Sequence, residues 1–182
     1  ATQTRQRMAG TTPNGATRRV SLHDADARPI AKGRLGKPVE FGYKAQVCDN
    51  PDGIVVDHDV QAGNPPDGPR LEPAVARIGE RSGATPRTVT ADRGYGEAAI
   101  EEALENLGVQ HVVIPRKGRP GKARQAHERR RSFRQTVKWR TGCEGRISHL
   151  KRNYRLNRTM LDTLEGARTW TGHGVFAHNL AK

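Results

Sequence analysis

From Val39 to Val47 apolar and polar positions alternate. Val39, Phe41, Tyr43, Ala45 and Val47 share one face, with Glu40, Lys44 and Gln46 on the other. Period 2 marks a half-buried strand. Asp49-Asn-Pro-Asp-Gly53 supplies turn chemistry, and Ile54 to Val60 reads as the return strand of an antiparallel hairpin. After a loop at 63–69, Leu71, Val75 and Ile78 stand at spacings of four and three, which predicts a helix over Arg70 to Arg81 with Gly83 as its stop. Arg87 to Ala91 predicts a short buried strand. Glu97 to Leu107 predicts a helix with Ile100, Ala103, Leu104 and Leu107 on one face, and Gln110 to Ile114 another strand. The order hairpin, helix, strand, helix, strand implies an α/β class, a mixed sheet with helices packed on it.

The best-patterned helix is predicted over residues 134–158. Trp139, Cys143, Ile147, Leu150 and Tyr154 form one apolar stripe along it, in which Cys143 reads as a buried core thiol. The beginning of the chain carries less pattern. Residues 1–19 contain Arg5, Arg7, Arg18 and Arg19, no acid and no apolar period, and read as a linker or tail. Residues 20–30 (VSLHDADARPI) predict a strand start and a turn, after which Gly33, Gly36 and Pro38 interrupt the chain.

Charge changes this picture more than length does. The 182 residues carry a formal net charge of +13, and only 4% are aromatic. Such a chain has a small aliphatic core and an affinity for polyanions, nucleic acid first and an acidic membrane surface second. No apolar run is long enough to span a bilayer, and the N-terminal residues do not resemble a secretory signal. The two cysteines, Cys48 and Cys143, have no metal-type spacing and suit a reducing, intracellular setting. The basic residues concentrate in one segment. From Arg116 to Arg134 there are nine Arg or Lys residues and one acid, Glu128. This segment reads as a mobile loop, RKGRPGKAR, and its continuation, whose bases contact backbone phosphates without sequence preference.

Two acids stand out against that background. Asp92 ends the strand 87–91 and precedes a helix, where open α/β sheets place their sites. Gly94 and Gly96 follow it. Glu144 lies beside the apolar stripe in a row with Arg140, Lys151 and Arg155. At about 100° per residue, Arg140 and Glu144 differ by about 40° and Glu144 and Lys151 by about 20°. Gly142 and Gly145 flank Glu144, and each costs a helix about 1 kcal/mol relative to Ala. That cost makes sense if another backbone or a substrate comes close. Alternatively Asp92 is only a cap and Glu144 only an i,i+4 partner of Arg140. Together, two carboxylates amid surplus positive charge suit hard divalent cations near phosphate.

At these residues the sequence resembles the DDE transposases of bacterial insertion sequences, over roughly residues 20 to 181. Ala91-Asp-Arg-Gly-Tyr95 is similar to the motif around the family's second catalytic Asp. Arg140, Glu144 and Lys151 match the helix motif Y-x2-R-x3-E-x6-K, with Val137 at the Tyr position. The resemblance implies a ribonuclease H-like mixed sheet with helices on both faces. It makes 1–19 a linker or tail and 20–182 the catalytic domain, lacking part of its N-terminal strand region. It implies Asp92 and Glu144 as catalytic metal ligands for Mg²⁺ or Mn²⁺. Arg140 and Lys151 would bind phosphates of the transposon end, and the basic segment with Arg129, Arg130 and Arg131 would track the duplex. The DNA-binding role of the missing Tyr would pass to Trp139. The partner is double-stranded DNA at transposon ends, with no membrane, a homodimer as one arrangement of the intact enzyme, and a cytoplasmic, nucleoid-associated location. The first catalytic Asp is expected upstream, with Asp24 as the fallback. On this reading the chain cannot transpose by itself, and strand 39–49 is a bare edge. Two other functions fit: a non-catalytic nucleic-acid-binding module, and a ribonuclease H-like nuclease without transfer activity.

Overall fold

The computed structural model describes residues 2–15, 17–34 and 36–182; for residues 32–34, 37 and 38 it describes the backbone only. The chain divides into two compact units. One comprises Ala1–Gln46, His58–Pro65 and Lys151–Ala181, the other Val47–Asp57, Pro66–Leu150 and Lys182.

The second unit holds the better-defined core. Helix α2 (Leu71–Ser82) buries Leu71, Ala74 and Val75 and ends at Gly83, whose φ of 73° is the left-handed geometry a helix stop favours. Strand β4 (Thr88–Thr90) and strand β5 (His111–Val113) pair in parallel, Val89 opposite Val112. Helix α3 (Ala98–Asn106) forms the crossover between them and buries Ile100 and Leu104. Leu71, Val75, Val89, Ile100, Leu104, Val109, Val112 and Ile114 make one aliphatic cluster, and Tyr95 packs against it. Helices α4 (Lys122–Glu128) and α5 (Arg131–Asn153) follow. Phe133 is buried at the start of α5, edge-on to His127 at 5.4 Å, with the Arg124 guanidinium 5.7 Å from its ring. The expected basic loop is thus partly helix, because 122–128 is a breaker-free run that Phe133 anchors.

Strands β1 (Arg28–Arg34), β2 (Lys37–Asp49) and β3 (Val55–Ala62) form a sheet in the order β1-β2-β3. The turn between β2 and β3 is built as its sequence dictates. Asn50 Oδ1 accepts from the backbone N–H of Asp52 and Ile54, and Gly53 takes a φ of 78°. Strand β1 is a finding that the breaker residues concealed. It pairs antiparallel with β2 from Arg28 opposite Gly42 to Arg34 opposite Lys37, with an irregularity between Ala31 and Arg34. Gly36, at φ 86°, makes the reversal. Pro29, which lacks an N–H, is tolerated because β1 is an edge strand. So the expected bare edge of 39–49 is covered as far as Gly42. Among the described residues β4 pairs only with β5, and the strands lie in two sheets, not in one continuous mixed sheet.

Two helices escape the hydrophobic pattern. Helix α1 (Thr2–Met8), within the expected tail, buries nothing. Helix α6 (Thr163–Leu180) buries Ala167, Thr171, Gly174, Val175 and His178. Its inward face is made of small and polar residues, so it leaves no apolar stripe. Gly172 lies against His58 of β3, where an added Cβ would meet Nε2 at 3.6 Å, and Arg168 donates to the Val60 carbonyl.

Candidate active site

Asp92 follows β4 and caps the short 3-10 turn Arg93–Tyr95. Its Oδ1 accepts from the Gly94 N–H at 2.7 Å, and the carboxylate is exposed. The turn has little freedom. Lys117 N–H donates to the Gly96 carbonyl at 2.8 Å. A Cβ on Gly96 would collide with the Pro115 carbonyl and meet Lys117 N at 2.9 Å. Only glycine fits there, because two backbone segments touch. Tyr95, the last residue of the motif, is mostly buried. Burial and then the charges of Asp67 and Asp92 push its phenol up, so it stays neutral. Asp92 is therefore held at the start of a closely packed turn with one oxygen bonded to the Gly94 N–H and the side chain exposed.

Glu144 lies in the same unit, mid-way along α5, with its side chain 71% exposed. Arg140 Nη2 is 3.8 Å away, a loose ion pair, and Arg140 itself is largely covered. Glu144 thus keeps its oxygens available. Beyond their chain neighbours and the helix's own backbone, nothing among the described residues comes within 4 Å of a Cβ built on Gly145, and at Gly142 only the Arg146 guanidinium does, at 3.5 Å. The space the two glycines leave is open. Among the described residues Asp92 and Glu144 have no common hydrogen-bond or ion-pair partner. Among the described residues no three His, Cys, Asp or Glu side chains group to hold a metal ion.

The expected apolar stripe of α5 is only partly inside. Of its five residues only Leu150 is buried, whereas Trp139 is 41% and Ile147 40% exposed. Cys143 is half-buried, not a core thiol. It donates to Asp49 Oδ1 at 3.1 Å, and burial and that contact raise it, which keeps the thiol protonated. Arg146 pairs with Asp49 and lies 5.7 Å from the Trp139 ring. Burial also pushes Cys48 up, to about 12. Neither cysteine is a ready nucleophile.

A family model for the transposase DDE domain matches residues 11–180. The chain belongs to that family. DNA transposition is its general function, and DDE transposase domains generally use divalent metal ions. No curated protein and no solved structure matches. Among the described residues no helix of this DDE domain is long and apolar enough to cross a membrane.

The basic segment of the domain has two kinds of base. Arg129 and Arg130 connect α4 to α5, Arg131 opens α5, and all three are exposed. None has a side-chain partner among the described residues. Arg116 and Arg124 are instead committed. Arg124 bonds Glu101 Oε1 at 2.6 Å, Glu128 Oε1 at 2.9 Å and the Ile114 carbonyl at 2.7 Å. Arg116 donates to Glu101 Oε2 at 2.7 Å and, through its N–H, to Glu128 Oε1 at 2.8 Å. Burial works to raise Glu128, but the Arg116 N–H and Arg124 outweigh it and hold the carboxyl below its usual range. Sequence reasoning missed this network. Its one signal was Glu128, a single acid in a basic run. Lys151 is exposed in the last turn of α5.

Asp24 is differently engaged. Both its oxygens accept from the Tyr43 hydroxyl at 2.7 Å, and Oδ1 also accepts from the N–H of Asp26 and of Thr163. Asp26 Oδ2 accepts from the Leu164 N–H at 3.1 Å. The two acids cap α6 from a distant part of the chain, where the local cap, Asp162, makes no side-chain bond.

Proposed function

We propose that residues 20–182 are a ribonuclease H-like transposase domain in which Asp92 and Glu144 hold Mg²⁺ or Mn²⁺ for cleavage and strand transfer at transposon-end DNA. The observation that supports this reading is the glycine-clamped turn that leaves Asp92 exposed, together with a Glu144 that keeps only a loose pair with Arg140 beside two glycines that face open space. A bound cation would polarise the scissile phosphate and stabilise attacking and leaving oxygens. The protein's own work is positional. The Gly96 clamp fixes Asp92, and the bare face at Gly142 and Gly145 lets a DNA backbone approach Glu144. Exposed Lys151, with Arg140, orients phosphates of the transposon end. Arg129, Arg130 and Arg131 add sequence-independent attraction along the duplex. Such a domain works in the cytoplasm on nucleoid DNA, and the intact enzyme as a homodimer.

Asp24 does not complete the carboxylate set on this reading, because its oxygens already serve Tyr43 and the start of α6. With two acids, this chain alone does not cut DNA. The test is incubation of transposon-end duplex with Mg²⁺ or Mn²⁺, for the chain as it stands and for Asp92→Asn. Neither should cut. Cutting that Asp92→Asn abolishes would place a third acid within these residues. DNA binding that is identical with and without chelator, joined to metal-insensitive variants, would favour a non-catalytic binding module. Cutting without strand joining would favour a nuclease.

A further inference from the structure

Gly96, Glu97 and Ala98, which follow the Asp92 turn, and the loop 116–121 line a wide, open groove of about 660 Å³. Four bases and one acid line it: Arg116, Lys117, Arg119 and Arg124 against Glu97. Arg116 and Arg124 spend their charge on Glu101 and Glu128, which lie outside the lining. Lys117 and Arg119 are exposed, and Arg119 has no side-chain partner among the described residues. Arg116 also keeps Nη1 buried without a hydrogen-bond acceptor. Lys117 is met by the Glu97 carboxylate at 2.8 Å, and both side chains are about half exposed, 59% and 49%. That carboxylate is an anion already seated at the mouth of a basic groove. Gly118, at φ 75°, turns the loop, and neither Gly118 nor Gly121 has anything within 4 Å of an added Cβ. An incoming oxygen therefore meets bare backbone and two cations.

We propose that this groove is a phosphate cradle for the DNA backbone, in which Lys117 and Arg119 take a phosphodiester and Glu97 holds the empty site closed by standing in for it. The proposal rests on the DNA-acting reading above and adds where a phosphate is fixed relative to Asp92. The Gly96 carbonyl accepts from the Lys117 N–H, which ties the loop to the turn after Asp92. A phosphate caught by the loop is thereby placed at a set offset from the strand end that carries Asp92. Displacing Glu97 makes entry competitive, so the groove discriminates against weakly bound anions.

The experiment uses the full chain, labelled with ¹⁵N, and three probes: inorganic phosphate, and one duplex with and without a 5′-phosphate. The amides of Ala98, Gly118 and Gly121 should shift with phosphate and equally with both duplexes. Lys117→Ala with Arg119→Ala should flatten the dependence of log K on log salt by about one to two units. Glu97→Gln should tighten DNA binding roughly two- to fivefold, the worth of one exposed ion pair. A response confined to the 5′-phosphorylated duplex overturns the backbone assignment. An unchanged slope in the double variant overturns the cradle, while a slope lowered by replacing Arg129, Arg130 and Arg131 leaves the DNA reading intact. Absence of any DNA binding at low salt removes both.

Discussion

Single residues decide whether the Asp92 turn keeps its shape. Gly96→Ala forces a Cβ into the Pro115 carbonyl. Overpacking against backbone costs about 1–3 kcal/mol, so Tm should fall by roughly 2–4 °C per kcal/mol in a chain this long. A thermal melt within 1 °C of wild type would mean that the turn is not clamped. Glu128 acts at the same scale through pH. Its folded pKa lies below the unfolded value of 4.5, so its stabilisation is complete above about 4.5 and is lost as pH falls through the folded value. Stability measured against pH should drop more steeply below 4.5 in wild type than in Glu128→Gln. Curves that stay parallel there would leave the Arg124–Glu128 pair without energetic weight.

Among the elements, α5 and α6 differ in how they use glycine. In α5, Gly142 and Gly145 face open space, so Ala at either position should stabilise the free protein by up to about 1 kcal/mol. The same changes should weaken DNA binding, since they fill the surface a DNA backbone would approach. Stabilisation without loss of binding would make those glycines incidental. In α6, a Cβ on Gly174 would meet the Leu156 side chain and the Tyr154 carbonyl, so a larger residue there requires both to shift. The sequence reads well where burial is aliphatic: α2, α3, β4 and β5 lie within a few residues of their expected bounds, since Leu71, Val75, Val89, Leu104 and Val112 carry the pattern. It reads poorly where packing rests on other chemistry. Helix α6 is held by Thr171, Gly174 and His178 and by carboxylates 138 and 139 positions away, none of which registers as hydrophobic period. Strand β1 was hidden by Pro29, Gly33 and Gly36, which an edge strand and its reversal accommodate. Asp24→Ala should therefore cost about 0.5–2 kcal/mol as a lost cap. An unchanged melt would release Asp24 from that structural role.

On the scale of the whole molecule the charge of +13 is unevenly available. Arg116 and Arg124 are internally neutralised, and Arg129, Arg130 and Arg131 are not. Replacing those three together should lower the slope of log K against log salt by roughly two to three units. The places of Asp92 at a strand end and of Glu144 mid-way along a long helix were both legible from sequence. The clamp between Gly96 and Lys117 and the Glu101–Arg124 pair were not, because both join residues more than twenty positions apart and need the fold to meet. The proposed function requires Asp92 and Glu144 to hold one divalent cation. Mn²⁺ binding to the chain on duplex DNA, followed by electron paramagnetic resonance, tests it most directly. Asp92→Asn and Glu144→Gln should each weaken Mn²⁺ binding by more than about tenfold, the loss that even an outer partner of a metal site produces, with Asp24→Asn unchanged. Mn²⁺ affinity equal to wild type in both variants would contradict the account.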